Sequence, residues 1–421
     1  MANICVGPAN TGSGSGADWN NQIAYASVTF VRGNTYYLAD GAYTSKELGT
    51  AESTTVRIFI KKAIESDHGT SVGWVAGFGD GQATFSEGMV ISTGYWTFDG
   101  QTGGGPTNWA GPYGFVVPPS DTNNGAFVCT LGGSPLILGL DIRHVDIVGP
   151  TGGGSDNGKP VSFYSQNCSS STFAYLRMVD MGSNMFRSYG ETIIIEYCYF
   201  GFFLNTAGNH GECLSVFGGT GITDWTVRWC LFTFTDGTGG LIFADDGGFG
   251  GYHIYGNIFA PVDGGSLGGG NGLIGCVSGR DLSDLDIFNN TFIGWTAPMC
   301  GIFDATVSGN ARNNLYYNGT TYGDMAELTC THNHFASAGA GIGTNATTSV
   351  GDPFVSWATS DFRLLANTTA GADLGAPYNV DMLGNTRTTW TRGALEFQSS
   401  GTSSGSASIP SEPKIPTVPS L

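Results

Sequence analysis

His210 and Glu212 flank a single glycine, and Asp245 and Asp246 stand side by side further along the chain. Both groups border strand-like runs, HGECLSVFGG and GGLIFADDGG. Stacking these runs as neighbours would bring Glu212 near the Asp pair. Two carboxylates about 5 to 9 Å apart act as acid and base, or as acid and nucleophile, on a glycosidic bond. A histidine beside them moves protons near neutral pH. The same three carboxylates, Glu212, Asp245 and Asp246, also suit Ca²⁺. The plainer alternative makes ADDGG a turn and His210 a satisfied surface group. Trp225, Trp229, Tyr252 and Trp295, with Tyr255, form a second set of candidates, because sugar rings lie flat on exposed aromatic faces. Packing of these rings beneath loops is the competing reading.

The elements that must position these residues come from a repeat. One six-residue window recurs as IRHVDI (Ile142–Ile147), LRMVDM (Leu176–Met181), IEYCYF (Ile195–Phe200) and VRWCLF (Val227–Phe232). It continues as IYGNIF (Ile254–Phe259), IFNNTF (Ile287–Phe292), ARNNLY (Ala311–Tyr316) and CTHNHF (Cys330–Phe335). The fourth position runs from Val and Cys to Asn257, Asn290, Asn314 and Asn333. Strands stacked about 4.8 Å apart place equivalent residues in columns. A column of Asn gains amide-to-amide hydrogen bonds. Positions one and six cannot both face inward on a straight strand of period two, so the window contains a bend. Asn tolerates the left-handed conformation that such a bend needs.

Composition narrows the class. The 421 residues include 68 Gly, and charged residues make up 12%. Gly and Asn supply turns, aromatic and β-branched residues favour strands, and long helix-forming stretches are missing. The expected fold is all-β: a single right-handed parallel β-helix solenoid. Residues 1–75 read as an N-terminal cap and 76–350 as the rungs. Residues 351–398 read as a C-terminal cap, and 399–421 as a Ser/Gly/Pro-rich tail, either disordered or an arm along a neighbouring subunit.

The net charge of −18, with 16 Lys and Arg and no basic cluster, argues against nucleic acid and anionic membranes as partners. No apolar run is long enough to span a bilayer. Nine Cys lack any C-x-x-C pairing and read as buried thiols. Met1–Gly16 has neither the basic nor the apolar part of a signal peptide. Arg143, Arg177, Arg228 and Arg312 share the second window position and read as a solvated ladder. Arg280 is the weak alternative for a catalytic base.

The segment RGNTYYLADGAY (Arg32–Tyr43), FDGQTG (Phe98–Gly103), the windows, and the ending from Asp352 to Phe397 together resemble the pectate-lyase-like superfamily of right-handed parallel β-helix proteins. That resemblance implies the fold across nearly the whole chain. It also implies a range of activities, from polysaccharide lyases and hydrolases to phage tailspikes, adhesins and structural members. Asp245–Asp246 matches the paired-Asp element of the polygalacturonase-like hydrolases, but their R-I-K and downstream G-H-G elements are missing. Two readings follow. One is a non-enzymatic extracellular or virion surface protein, with a phage virion the most specific form. It would build an assembly or contact a glycan, and form homo-oligomers or filaments through the tail. The alternative is a polysaccharide lyase or glycoside hydrolase that uses the carboxylate cluster, with Ca²⁺ as the possible cofactor.

Overall fold

The computed structural model describes residues 1–119, 125–129, 136–149, 161–165, 168–181, 184–201, 212–216, 222–233, 242–244, 249–261, 273–276, 282–295, 300–302, 307–319, 322–339 and 341–399. Among these, the chain forms an all-β, right-handed parallel β-helix, the hand that parallel crossovers take. A 23-stranded sheet runs the length of the solenoid. An eight-stranded parallel sheet, from Met89–Ile91 to Cys300–Ile302, forms a second wall. Their inward side chains make one continuous core from Val6 to Ala338.

Each rung of the large sheet has two arms. Ile222–Arg228 and Leu231–Phe232 are one example, with Trp229 between them at φ 55°. The corner recurs at His144, Tyr175, Tyr197, Trp229, Gly256, Asn289, Asn313 and His332, all at positive φ. One left-handed residue reverses the inside–outside parity of a strand. The bend therefore lies at the third window position, rather than at the fourth-position Asn. A second left-handed column opens the rungs at Tyr95, Gly139, Ser170, Thr192, Asp224, Gly251 and Asp284.

Seven of the eight windows stand in structural register. LRMVDM does not, because Ile142 pairs with Phe173 and Phe173 with Ile195. The equivalent segment is Phe173–Met178, three residues earlier. Arg177 thus leaves the arginine column and joins the second arm, where it pairs with Asp146 at 3.0 Å.

The fourth-position amides bond in series. Asn257 Nδ2 donates to Asn290 Oδ1 at 3.1 Å, Asn290 Nδ2 to Asn314 Oδ1 at 3.2 Å, and Asn314 Nδ2 to Asn333 Oδ1 at 3.1 Å. Each oxygen also accepts the backbone N–H of the preceding Asn, at 2.9–3.0 Å. At the sixth position Phe200, Phe232, Phe259, Phe292, Tyr316 and Phe335 stack with centroids 4.6–5.2 Å apart. Both columns are buried. Polar groups held this way cost nothing in unmet hydrogen bonds, and they fix the register of the rungs.

The parallel ladder starts within residues 1–75, at Asn3–Gly7, which lies between Ile23–Ala24 and Thr35–Leu38. Beyond Ile23–Ala24 the chain covers its own first edge. Thr11 N–H donates to Gln22 O, and Ala24 N–H donates to Asn10 Oδ1. Tyr25 closes the core against Phe30, Tyr43 and Phe85. At the other end the last parallel strand is Thr347–Ser349. An antiparallel pair follows, Phe354–Ser356 with Asp361–Leu364. The segment that continues to Phe397 folds back over the outer apolar column of Leu231, Ile258, Ile293 and Leu315. Residues 400–421 lie outside the described residues.

Candidate functional site

Of the four residues expected to form a carboxylate site, His210, Asp245 and Asp246 lie outside the described residues. Glu212 is 1% exposed and faces the interior, where Asn184 Nδ2 donates to its carboxylate. Its carbonyl accepts Met185 N–H at 3.1 Å. Glu212 precedes Leu214–Val216, and Val216 pairs with Ala244, the residue before Asp245. Among the described residues, no group of three or more acids, His or Cys is placed to hold a metal ion.

Three of the aromatic faces expected to be open are buried instead. Trp225, Tyr252 and Trp295 are only 1%, 3% and 1% exposed. Trp225 lies two residues before the inward Val227 and shares its parity, and its indole donates to Gly190 O at 2.8 Å. Tyr252 stands two before Ile254 by the same rule and packs on Trp225. Trp295 packs edge-on against Tyr316 and Tyr322 inside the solenoid. Tyr255 faces outward, but Tyr378 of the C-terminal segment covers it.

Trp229 alone of the set stays half-buried, and it belongs to a strip on the outer face of the corner. His144 stacks on Tyr175 at 4.6 Å and 8°, Tyr175 on Tyr197 at 4.9 Å and 6°, and Tyr197 on Trp229 at 5.0 Å and 31°. The Arg228 guanidinium lies 4.2 Å from the Trp229 ring centroid, within cation–π range. Arg228 also pairs with Glu196 at 2.5 Å and donates to Tyr255 Oη at 2.9 Å. Asp141 holds Arg143 at 2.6 Å.

The strip ends in an Asp–His pair. Asp99 Oδ1 meets His144 Nδ1 at 2.7 Å and accepts Gln101 N–H at 2.8 Å. Burial pushes the Asp99 carboxyl up. The His144 bond and charge, the Gln101 N–H and the Lys61 charge outweigh it and leave Asp99 below the ordinary carboxylate range. Sequence reasoning passed over this pair. Its signal was present in FDG and IRHVDI, since Phe98 pairs with Ile142 and so sets Asp99 beside Arg143 and His144.

A further ion pair carries a pH signature. His253 lies 3.2 Å from Asp286, and that bond, opposed by burial and helped by the Asp286, Asp224 and Asp284 charges, raises the imidazole above its usual 6.5. A raised folded value adds stability that is complete below the unfolded value and is lost as pH rises through the folded one. His253→Gln is therefore expected to lower the melting temperature at about pH 5.5, with the difference shrinking by about pH 8.5. Thermal melts of both proteins across that range test this, and a constant difference refutes it.

The thiols give no reactive centre among the described residues. Cys5, Cys168, Cys198, Cys213, Cys230 and Cys330 are buried and unbridged. Burial raises Cys330 to about 11 and Cys5 to about 12, so these sulfurs stay protonated near neutrality.

The fold and the strip together define a parallel β-helix with a polar–aromatic outer face. Among solved structures the chain is similar to the crystal structure of pectate lyase Pel9A, at a TM-score of 0.45 and 15% identity, over 94% of this chain and 97% of that one. No protein-family model and no curated protein matches the sequence.

Proposed function

We propose that the protein is a non-enzymatic β-helix scaffold, displayed on a virion or cell surface, that contacts neighbouring proteins or a glycan through its outer face. The observation that carries this reading is the composition of the strip. Its rings are stacked on one another and its charges are paired with one another. A ring inside such a stack has both faces covered, so a sugar meets ring edges and polar groups rather than an open platform. Groups committed in this way stiffen a rod along its axis. Glu212, the described member of the carboxylate set, is likewise committed to the interior.

The test is incubation with neutral and acidic polysaccharides, with and without Ca²⁺, following reducing ends and the absorbance of unsaturated products. No cleavage is expected. Cleavage abolished by the combined Glu212→Ala, Asp245→Ala and Asp246→Ala substitutions would overturn the scaffold reading. A second reading, polysaccharide cleavage, has one observation in its favour: Asp99 holds His144 through Nδ1, the arrangement that orients an imidazole for proton transfer. Cleavage abolished by His144→Ala, but not by the triple variant, would move the chemistry to the strip.

A further inference from the structure

The two ends of the solenoid are finished differently. The first edge is covered by Asn10 and Thr11, whose bonds occupy the strand beside Asn3–Gly7. At the last edge, among the described residues, Thr347–Ser349 pairs on one side only, with His334–Ala336. Thr347 N–H donates to Asn333 O, and Ser349 O accepts Ser337 N–H. Alternate residues of a parallel strand turn their amides to opposite sides. The backbone N–H and C=O of Thr348 therefore point away from the sheet. Arg392 and His334 reach this strand through the Thr347 and Ser349 hydroxyls, not through its outer backbone edge.

Nothing in the local sequence blunts this edge. Gly341–Val350 reads GIGTNATTSV and lacks the Lys, Pro or other charge that keeps edge strands apart. Thr348 and Ser349 are exposed, and Val350 is 95% exposed. Val355 and Leu365, on and just beyond the adjoining antiparallel pair, are exposed as well. Local charge permits a second copy here, and an exposed strand edge is its own complement. The chain carries a net charge of −18, which repels a second copy over most of its surface, yet Asp352 is the one charged residue between Ser337 and Ser360.

We infer that this C-terminal edge pairs with the same edge of a second copy, the two Thr347–Ser349 strands running antiparallel about a two-fold axis near Thr348. Such a contact is self-complementary and closed. The covered first edge prevents growth beyond two copies. The inference rests on the scaffold reading and names its partner.

Size-exclusion chromatography with light scattering on the full chain, from about 1 to about 100 μM, tests it over the range where a small interface assembles. Twice the 43.9 kDa chain mass is expected at the upper concentrations. Thr348→Pro removes the outward N–H, and Val350→Lys adds a charge at a fully solvated position. Each is expected to weaken the dimer about tenfold or more while leaving circular dichroism unchanged. If Thr348→Pro fails to fold, Val350→Lys alone decides the matter. A monomer at every concentration overturns the inference, whether another part of the chain or nothing covers the edge. A dimer indifferent to Val350→Lys also overturns it. Polysaccharide cleavage by an intact dimer sinks the scaffold reading instead, so the two failures are distinguishable.

Discussion

Replacing Asn290 by Ala is expected to destabilise the protein by about 3–5 kcal/mol, because each buried polar group left without a partner costs about 1–3 kcal/mol. Asn290 is fully buried. Its oxygen accepts both the N–H and the Nδ2 of Asn257, and its Nδ2 donates to Ile254 O at 2.8 Å and to Asn314 Oδ1. Truncation strands donors above and acceptors below, in a cavity one amide wide. Asn290→Asp keeps the shape but turns an oxygen toward two acceptors and buries a charge, so it is expected to cost more. Asn310→Ala is the control. That amide bonds Asp286 on the half-exposed outer face, and its loss is expected to stay within about 0.5–1 kcal/mol. Urea unfolding distinguishes them, with a lower midpoint at similar slope. An Asn290→Ala protein as stable as Asn310→Ala would show that the amide column contributes register alone.

Arg387→Met is expected to release the C-terminal segment. Arg387 is buried and donates to Thr391 O, Gly393 O and Ala394 O at 2.8–3.0 Å, thereby shaping the turn that docks Ala394 and Leu395 on the outer apolar column. Its partner Glu396, at 3.8 Å, holds the N–H groups of Thr388, Thr389 and Thr391. Removing one member of a buried pair leaves the other charge uncompensated, at about 3–5 kcal/mol. Such a cost unfolds the segment before the solenoid. Limited proteolysis is expected to cut between Leu365 and Phe397 in the variant, while the rungs survive. Adding Glu396→Gln should recover part of the loss. Equal protease resistance in Arg387→Met and the parent would sink the claim.

The solenoid was legible in the sequence because its signal is a column, and columns repeat. The apolar first and sixth positions recur through the eight windows, and Asn fills the fourth position of the last four. The misplaced LRMVDM window shows the limit. Leu176–Val179 satisfies the apolar pattern three residues out of phase, and only the pairing of Ile142 with Phe173 decides between the two. The buried aromatics were legible and were missed. Trp225 and Tyr252 stand two residues before an inward position, and parity alone turns them in. The Asp99–His144 pair was harder, because the residues 101–114 interrupt that rung and hide the alignment of FDG with IRH. The strands of the first 75 residues are hard to read in the sequence for a related reason. Residues 1–75 lack the window, so their strands pair in register without repeating its letters.

The single left-handed residue at each corner does two jobs at once. It turns the backbone inward and lifts its own side chain outward. His144, Tyr175, Tyr197 and Trp229 occupy that position in some rungs, and Gly256, Asn289 and Asn313 in others, on the same backbone. Asn and Gly adopt this conformation more readily than aromatic residues do. Exchanging Tyr197 or Trp229 for Asn therefore rewrites the outer surface while easing the corner beneath it. What the rod touches can drift by point mutation while its architecture stays still, so surface identity evolves separately from foldability.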